Sequence, residues 1–328
     1  MRKILLPLVF VFFAFRCFGA EYADGRIKLL IHENTGRFSL YFLSDPVGGK
    51  YSPLFVDQDP RTSFLALTVD GRNYRMGEAS AFRMSLGGGP LNPALIFKSS
   101  FLTVVEDFTF TRSAGSSLSD GVRITITISN NGEIPRQVGV KLLFDTNLGE
   151  GGPDHFVTDR RKIGAEAVLD GTSEDRYWVS RSPRLGLRGD LSSGQTRPDL
   201  VHFANWKRLN EAPWKADFSE GRNFNFLPTS VGDSAVSYYY DPRTLEKGEG
   251  RTVTLVLSPV YGPGGSAGIP DRETVDADLA MLGDMLTKID RYVSSGALPA
   301  ADELAALESL VSRLKQKYKL DTEGAQQN

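Results

Sequence analysis

Val122, Ile124, Ile126 and Ile128 alternate with Arg123, Thr125, Thr127 and Ser129. In an extended chain this puts β-branched apolar groups on one face and polar groups on the other. A helix turns about 100° per residue and would scatter the same apolar set around its circumference. The segment therefore predicts a half-buried strand. Asn130-Asn131-Gly132 reads as the turn that ends it, because Asn and Gly tolerate the positive φ of tight turns. Val138, Val140, Leu142 and Phe144 then predict the buried face of the next strand. Similar signals lie at residues 26–32 and 37–42, across a Glu-Asn-Thr-Gly turn, and at 64–69 before Asp70-Gly71. They recur at 101–111, 234–240 and 251–257. Many short strands joined by Gly- and Pro-rich turns predict a mainly β protein, a large antiparallel β-sandwich over residues 20–262.

The period changes after the glycine- and proline-rich stretch at 261–270. Val275, Leu279, Leu282, Leu286, Ile289 and Val293 recur at three- and four-residue steps, as do Leu304, Leu307, Val311, Leu314 and Tyr318. Each set is the apolar stripe of an amphipathic helix. A two-helix hairpin is expected over 270–320, either lying on the sandwich or projecting to offer an apolar face to a partner. Residues 321–328 are polar and expected to be a flexible tail.

Arg2 and Lys3 precede an unbroken apolar run at 4–15, closed by Arg16, Cys17, Phe18, Gly19 and Ala20. This is the charge, core and small-residue order of a cleavable signal peptide over 1–19, and it implies a periplasmic protein. The run is too short for a transmembrane span, which needs roughly 20 residues. The alternative is a lipid anchor at Cys17, which Arg16 disfavours because lipidation requires a small residue at that position. Loss of residues 1–19 takes the formal charge from -2 to -5 and removes the chain's one cysteine. A mildly acidic chain has no basic excess for a phosphate backbone, so nucleic acid is not an expected partner. Without cysteine, disulfides and thiolate metal sites are excluded.

The densest polar cluster follows the strand ending at Phe144: Asp145, Asn147, Glu150, Asp154 and His155, among glycines. Oxygen ligands on a Gly-rich loop suit Ca²⁺, yet the spacing is not that of an EF-hand: Glu150 stands at the glycine position and Phe156 at that of the bidentate Glu. No metal is assigned, Ca²⁺ remains an option, and the other expectation is a loop whose Asp and Asn side chains bond nearby backbone N–H groups. Trp206, Trp214 and Tyr238 are candidates for a sugar-stacking platform; aromatic residues in β proteins more often fill cores. Tyr238, Tyr239 and Tyr240 cannot all be buried unless both faces of their strand are covered. His32, His155 and His202 are the only histidines, and nothing in their spacing assigns a catalytic residue. Gly87-Gly88-Gly89-Pro90 lacks the Gly-Lys-Ser/Thr ending of a phosphate loop and is expected to be a plain loop.

Two stretches carry a resemblance. Residues 138–149 (VGVKLLFDTNLG) and 233–248 (DSAVSYYYDPRTLEKG), the latter leading into 251–257 as a closing strand pair, resemble segments of poorly characterised exported bacterial β-sandwich proteins. These in turn are similar to the galactose-mutarotase-like supersandwich of carbohydrate-active proteins. The resemblance implies that fold; the mutarotase reaction would need two histidines and a glutamate at the sugar, and no residue here matches those roles. Fold alone does not assign function. The leading expectation is a non-catalytic exported protein that binds another envelope protein through the sandwich and hairpin. The alternative is a periplasmic protein that binds or processes carbohydrate.

Overall fold

The structure, a computed structural model, describes residues 19–45, 48–113, 118–146, 148–192, 194–261, 283–289, 292, 303–305, 308–309 and 311–312. The expected signal segment with Cys17, most of the helical hairpin, Asn147 and the 321–328 tail lie outside the described residues, apart from Gly19.

Among the described residues the strands form three antiparallel sheets. The first is a meander of β1 (Gly19–Asp24), β2 (Ile27–His32), β3 (Arg37–Asp45) and β4 (Lys50–Pro53). The chain then forms β5 (Phe64–Val69), β6 (Arg72–Arg75), β7 (Arg83–Gly89), β8 (Asn92–Lys98), β9 (Leu102–Thr111), β10 (Gly121–Asn130) and β11 (Arg136–Asp145). Short strands follow: β12 (Phe156–Thr158), β13 (Lys162–Ile163), β14 (Ala167–Asp170), β15 (Tyr177–Arg181), β16 (Leu185–Asp190) and β17 (Leu200–Asn205). Helix α1 (Trp206–Glu211), β18 (Ser234–Leu245) and β19 (Gly250–Tyr261) complete the sandwich. The nine-stranded sheet runs β13-β12-β15-β16-β19-β10-β9-β8-β7, and the six-stranded sheet β14-β17-β18-β11-β5-β6.

The alternation at 122–129 behaves as its pattern requires. Val122, Ile124, Ile126 and Ile128 are fully buried, and Arg123, Thr125, Thr127 and Ser129 are half-buried on the opposite face. Their core is continuous with Val140 and Leu142 of the six-stranded sheet and with Ile27, Leu29 and Phe38 of the four-stranded one. The turn at 130–132 is an Asx turn, with Gly132 N donating to Asn130 Oδ1 at 3.0 Å.

That turn carries the chain between layers. Strand β10 pairs with β9 and β19, whereas β11 pairs with β5 and β18. The expected closing pair at 234–257 is corrected in the same way, since β18 and β19 lie in different sheets. Asn130 ties the two crossings together: its Nδ2 donates to Leu245 O at 2.8 Å and Ile134 O at 2.9 Å, and its backbone pairs with Glu249 and Gly248. Gly87 to Gly89, expected in a loop, instead end β7 opposite Ala94, Pro93 and Asn92.

A second layer covers the outer face of the six-stranded sheet. Phe64, Ala66, Leu143, Ala204, Ala235 and Leu209 of α1 form a small separate core, with Trp206 packed against it. Both faces of β18 are thereby covered, and Tyr238, Tyr239 and Tyr240 are all buried. Asn205 caps α1 by accepting from Lys207 N, while its Nδ2 donates to Phe224 O, Ser230 Oγ and Asp233 O, pinning the return of the 206–233 excursion.

Residues 283–289 are helical, as are 303–305 and neighbouring described positions, and Lys288 Nζ meets Glu303 Oε1 at 2.5 Å. Met285 is buried, whereas Leu286 and Leu304 are exposed. Burial raises the Tyr51 hydroxyl pKa, and the Glu21 and Asp284 carboxylates add to the shift, which sets this helical stretch beside the four-stranded sheet.

Candidate ligand-binding site

The polar cluster predicted after Phe144 divides in space. Asp145, at the end of β11, and Glu150 come together with Asp233, just before β18, so that one carboxylate oxygen of each lies within 4.8 Å of the others. Burial comes first in raising all three pKa values, and the neighbouring carboxylates add to it for Asp145 and Glu150; Asp145 reaches about 7. Ser234 N donates to Glu150 Oε1 at 3.0 Å and Ser230 Oγ to Asp233 Oδ2 at 2.7 Å, while Asp145 Oδ1 is buried without a partner. Three carboxylates this close are held by shared protons or by a cation, and this oxygen set is the one among the described residues that could ligate a metal.

Asp154 turns away to pair with Lys162 at 3.1 Å. His155 is buried against Phe224, with ring centroids 4.6 Å apart, and burial lowers its pKa. Asp233 was not visible as a cluster member because it lies far along the chain from Asp145, and only the pairing of β11 with β18, Asp145 opposite Ala235, brings them together.

The three aromatic candidates also separate. Tyr238 is sealed in the core, where its hydroxyl accepts from Trp178 Nε1 at 2.6 Å. A Cβ at Gly189 would come within 2.5 Å of both residues, so that glycine makes room for the pair. Trp206 is half-buried on α1, its Nε1 donating to Thr62 O at 2.9 Å. Trp214 lines an open cavity.

That cavity, of about 470 Å³, is lined by Trp214 and Pro242 together with Thr68, Asp70, Gly71, Asn73 and Gln137. Local sequence explains its shape. Asp70 and Gly71 both have positive φ, 50° and 78°, the two-residue turn that closes the β5–β6 hairpin. Between the Val138–Arg243 and Val140–Tyr240 pairs the register of β11 and β18 shifts, so that Asp241 and Pro242 oppose Gly139 alone. Proline is tolerated in such a bulge because it has no N–H to give the ladder. A Cβ at Gly139 would lie 3.0 Å from Trp214 Cζ2 and 2.9 Å from Thr68 Cγ2, so glycine there lets the indole settle on the sheet.

Trp214 packs edge-on against Tyr239, at 5.7 Å between centroids, and remains half-buried. Its carbonyl accepts from Lys141 Nζ at 3.0 Å, as do those of Leu209 at 2.7 Å and Ala212 at 3.3 Å. The rim is equally fixed. Asp70 accepts from Arg136 Nη1 at 2.7 Å and Gln137 N at 2.9 Å; partial burial acts to raise its pKa, but these bonds outweigh it and hold the carboxyl below its ordinary value. Gln137 Nε2 donates to Thr244 Oγ1 at 2.6 Å, and Asn73 is exposed. An indole and a proline ring facing a rim of amide, hydroxyl and carboxylate groups can hold a ligand with an apolar face and hydroxyl edges.

None of the three histidines lines this cavity. His32 Nε2 and Ser39 Oγ share a hydrogen bond of 2.8 Å on the four-stranded sheet. His202 is fully buried and bonded to Glu166 at 2.9 Å, in a network closed by Arg222 and Arg208; burial lowers its pKa against the opposing pull of Glu166.

No protein-family model matches the chain, and no curated protein matches it. Some solved structures are loosely similar to it. A galactose mutarotase-like protein from Lactobacillus casei is similar over 74% of this chain and 99% of its own, at TM-score 0.45 and 12% identity. An aldose epimerase homologue from C. elegans covers 74% of this chain and 98% of its own, at 0.44 and 10%. A TPR-domain containing protein from Parabacteroides distasonis covers 92% of this chain and 60% of its own, at 0.44 and 11%. The likeness is loose and one of sandwich architecture alone.

Proposed function

We propose that this chain is an exported protein that binds a neutral glycan at the Trp214 cavity and holds it without transforming it. One observation carries the proposal: Trp214 is the half-buried aromatic residue held in place by its backbone at the wall of an open cavity, opposite the polar rim of Asp70, Asn73 and Gln137. A pyranose has an apolar face for the indole and hydroxyls for such a rim, so the two halves of the cavity suit one ligand class. Export rests on the charge and apolar pattern of residues 1–19. The test is a glycan array probed with the purified exported protein and with Trp214→Ala. Binding to neutral pyranose glycans that the variant loses by roughly tenfold or more supports the reading, since aromatic–sugar contacts of this kind resemble other buried aromatic contacts in worth. A variant that binds like the parent overturns it.

A second reading, docking to an envelope protein through the C-terminal helices, is favoured by Leu286 and Leu304, which are exposed apolar residues on the helical stretches. Deleting the chain from Gly262 onward and repeating a pull-down from envelope extract tests it, and unchanged partners remove the helices from that account.

A further inference from the structure

A second concave surface lies on the nine-stranded sheet. It encloses about 720 Å³ between the loop at 148–154 and the turn joining β15 to β16. Val157, Val179 and Leu185 form an aliphatic floor, and Arg181, Arg184 and Lys162 stand around it. The charge pairing nearby sets these arginines apart. Arg160, Arg161, Arg176 and Arg188 each have a carboxylate partner, Glu174, Asp175, Asp159 and Asp190 respectively. Lys162 is matched by Asp154. Among the described residues, the side chains of Arg181 and Arg184 have neither an ion pair nor a hydrogen-bond partner, and both residues are exposed.

The turn that carries them is held by its own bonds. Ser182 Oγ donates to Leu185 O at 2.9 Å and accepts from Leu185 N at 3.2 Å, and Ser182 N donates to Leu185 O at 2.8 Å. Gly186 lies opposite Arg181 in the ladder, and a Cβ there would meet Arg181 Cβ at 2.8 Å, so the glycine clears the space that the arginine stem occupies. Two unpaired guanidinium groups on a fixed turn above a concave floor are arranged for an oxyanion, which each can grip through a planar, forked set of N–H donors.

We propose that this groove binds a ligand bearing an oxyanion, a carboxylate or a phosphoryl group, through Arg181 and Arg184, with the aliphatic floor taking the ligand's apolar body. The site is separate from the Trp214 cavity and does not depend on it. Isothermal titration calorimetry on the full chain, purified after export, tests the proposal with trigalacturonate, a neutral galactose trimer and inorganic phosphate as probes. An anionic probe that binds the parent and the Trp214→Ala variant alike, while the neutral trimer does not bind that variant, fits the proposal, and which anion binds separates a carboxylate from a phosphoryl source. The Arg181→Ala, Arg184→Ala double variant should weaken that binding by roughly tenfold or more, as loss of charge-assisted hydrogen bonds does. The Arg184→Glu variant should weaken it further. Both side chains are exposed, so an unchanged melting temperature certifies the variants as folded, and Trp214→Ala should leave anion binding intact. The proposal is overturned if neither anionic probe binds, or if the double variant binds them as the parent does.

Discussion

Lys141 donates from its ammonium to the carbonyl of Trp214, at 3.0 Å, from beneath the sheet surface on which the indole rests. The same nitrogen serves Leu209 and Ala212, so a single side chain satisfies the carbonyls that α1 and its exit leave open. Burial lowers the Lys141 pKa to about 7, and the nearby Arg75 charge adds to the shift. Lys141→Met keeps the length of the side chain and removes all three donors. The expected cost is about 2–4 kcal/mol in unfolding free energy, because buried carbonyls lose their partners. Trp214 fluorescence should also shift to the red as its backbone is released. A variant of parental stability with unchanged Trp214 emission would show that the tie does not position the indole.

The Gly139 bulge makes a complementary demand. Gly139→Ala places a methyl within 3.0 Å of both Trp214 and Thr68. Overpacking of this sort costs roughly 1–3 kcal/mol. The variant should therefore melt lower and weaken glycan binding while leaving the Arg181–Arg184 groove untouched, and calorimetry with one probe for each cavity reads both effects in one preparation. Equal loss at both cavities would point to general unfolding.

What the sequence made legible follows from how far apart the interacting residues are. Period two at 122–129 and the Asp70-Gly71 turn are local signals, and both are found in place. The choice of sheet was not local. The turn at Asn130 has the chemistry of a hairpin turn, yet its side chain bonds Leu245, 115 residues away, and the strands it joins part into separate layers. Tyr238 looked like a platform residue because Trp178, which meets it in the core, stands 60 residues away and in the nine-stranded sheet. Lys141 interrupts an apolar run and would ordinarily be assigned to a solvent-facing position; its partners are carbonyls, which leave no trace in side-chain sequence. The Trp214 cavity joins residues from β5, β6, β11 and β18, and only Trp214 among them carries a recognisable residue-type signal.

Asn130 itself gives a stability test. It is fully buried and serves two carbonyls and one amide at the point where both interlayer crossings meet. Asn130→Ala leaves those groups unpaired and should cost about 2–4 kcal/mol, read as a lower denaturant midpoint with little change in its slope. A loss below about 0.5 kcal/mol, typical of surface positions, would mean that water replaces the side chain.

The acidic cluster should respond to charge removal in the opposite direction from an ordinary ion pair. At pH 8 the Asp145 carboxyl, with its pKa at about 7, is ionised at a cost in the folded state. Asp145→Asn removes that cost and should raise the melting temperature at pH 8 while changing it less at pH 5. Asp233→Asn should act in the same sense, and the double variant should gain less than the sum, because the two groups share one electrostatic site. Millimolar calcium identifies what holds the cluster: a melting-temperature rise in the parent that Asp145→Asn lacks assigns it to a cation, and no rise assigns it to shared protons.

Glu106 supplies the sharpest pH dependence. It takes an inward position on β9 between Val104 and Phe108, is 1% exposed and has one carboxylate oxygen without a partner. Burial raises its pKa to about 8, against a smaller opposing pull from Arg37. An unfolded chain releases this proton near pH 4.5, so between that pH and 8 the folded state holds one more proton than the unfolded state. Stability from this group is therefore fully present below the unfolded value, falls as pH rises through the window, by up to about 1.4 kcal/mol per pH unit, and levels off above 8. Glu106→Gln keeps the shape and removes the titration. The difference in unfolding free energy between parent and variant, measured by urea titration from pH 5 to 9, should shift steadily in favour of the variant up to pH 8 and then hold constant. A difference independent of pH would mean that Glu106 is ionised in the fold and paired with Arg37, and its neutral burial would have to be abandoned.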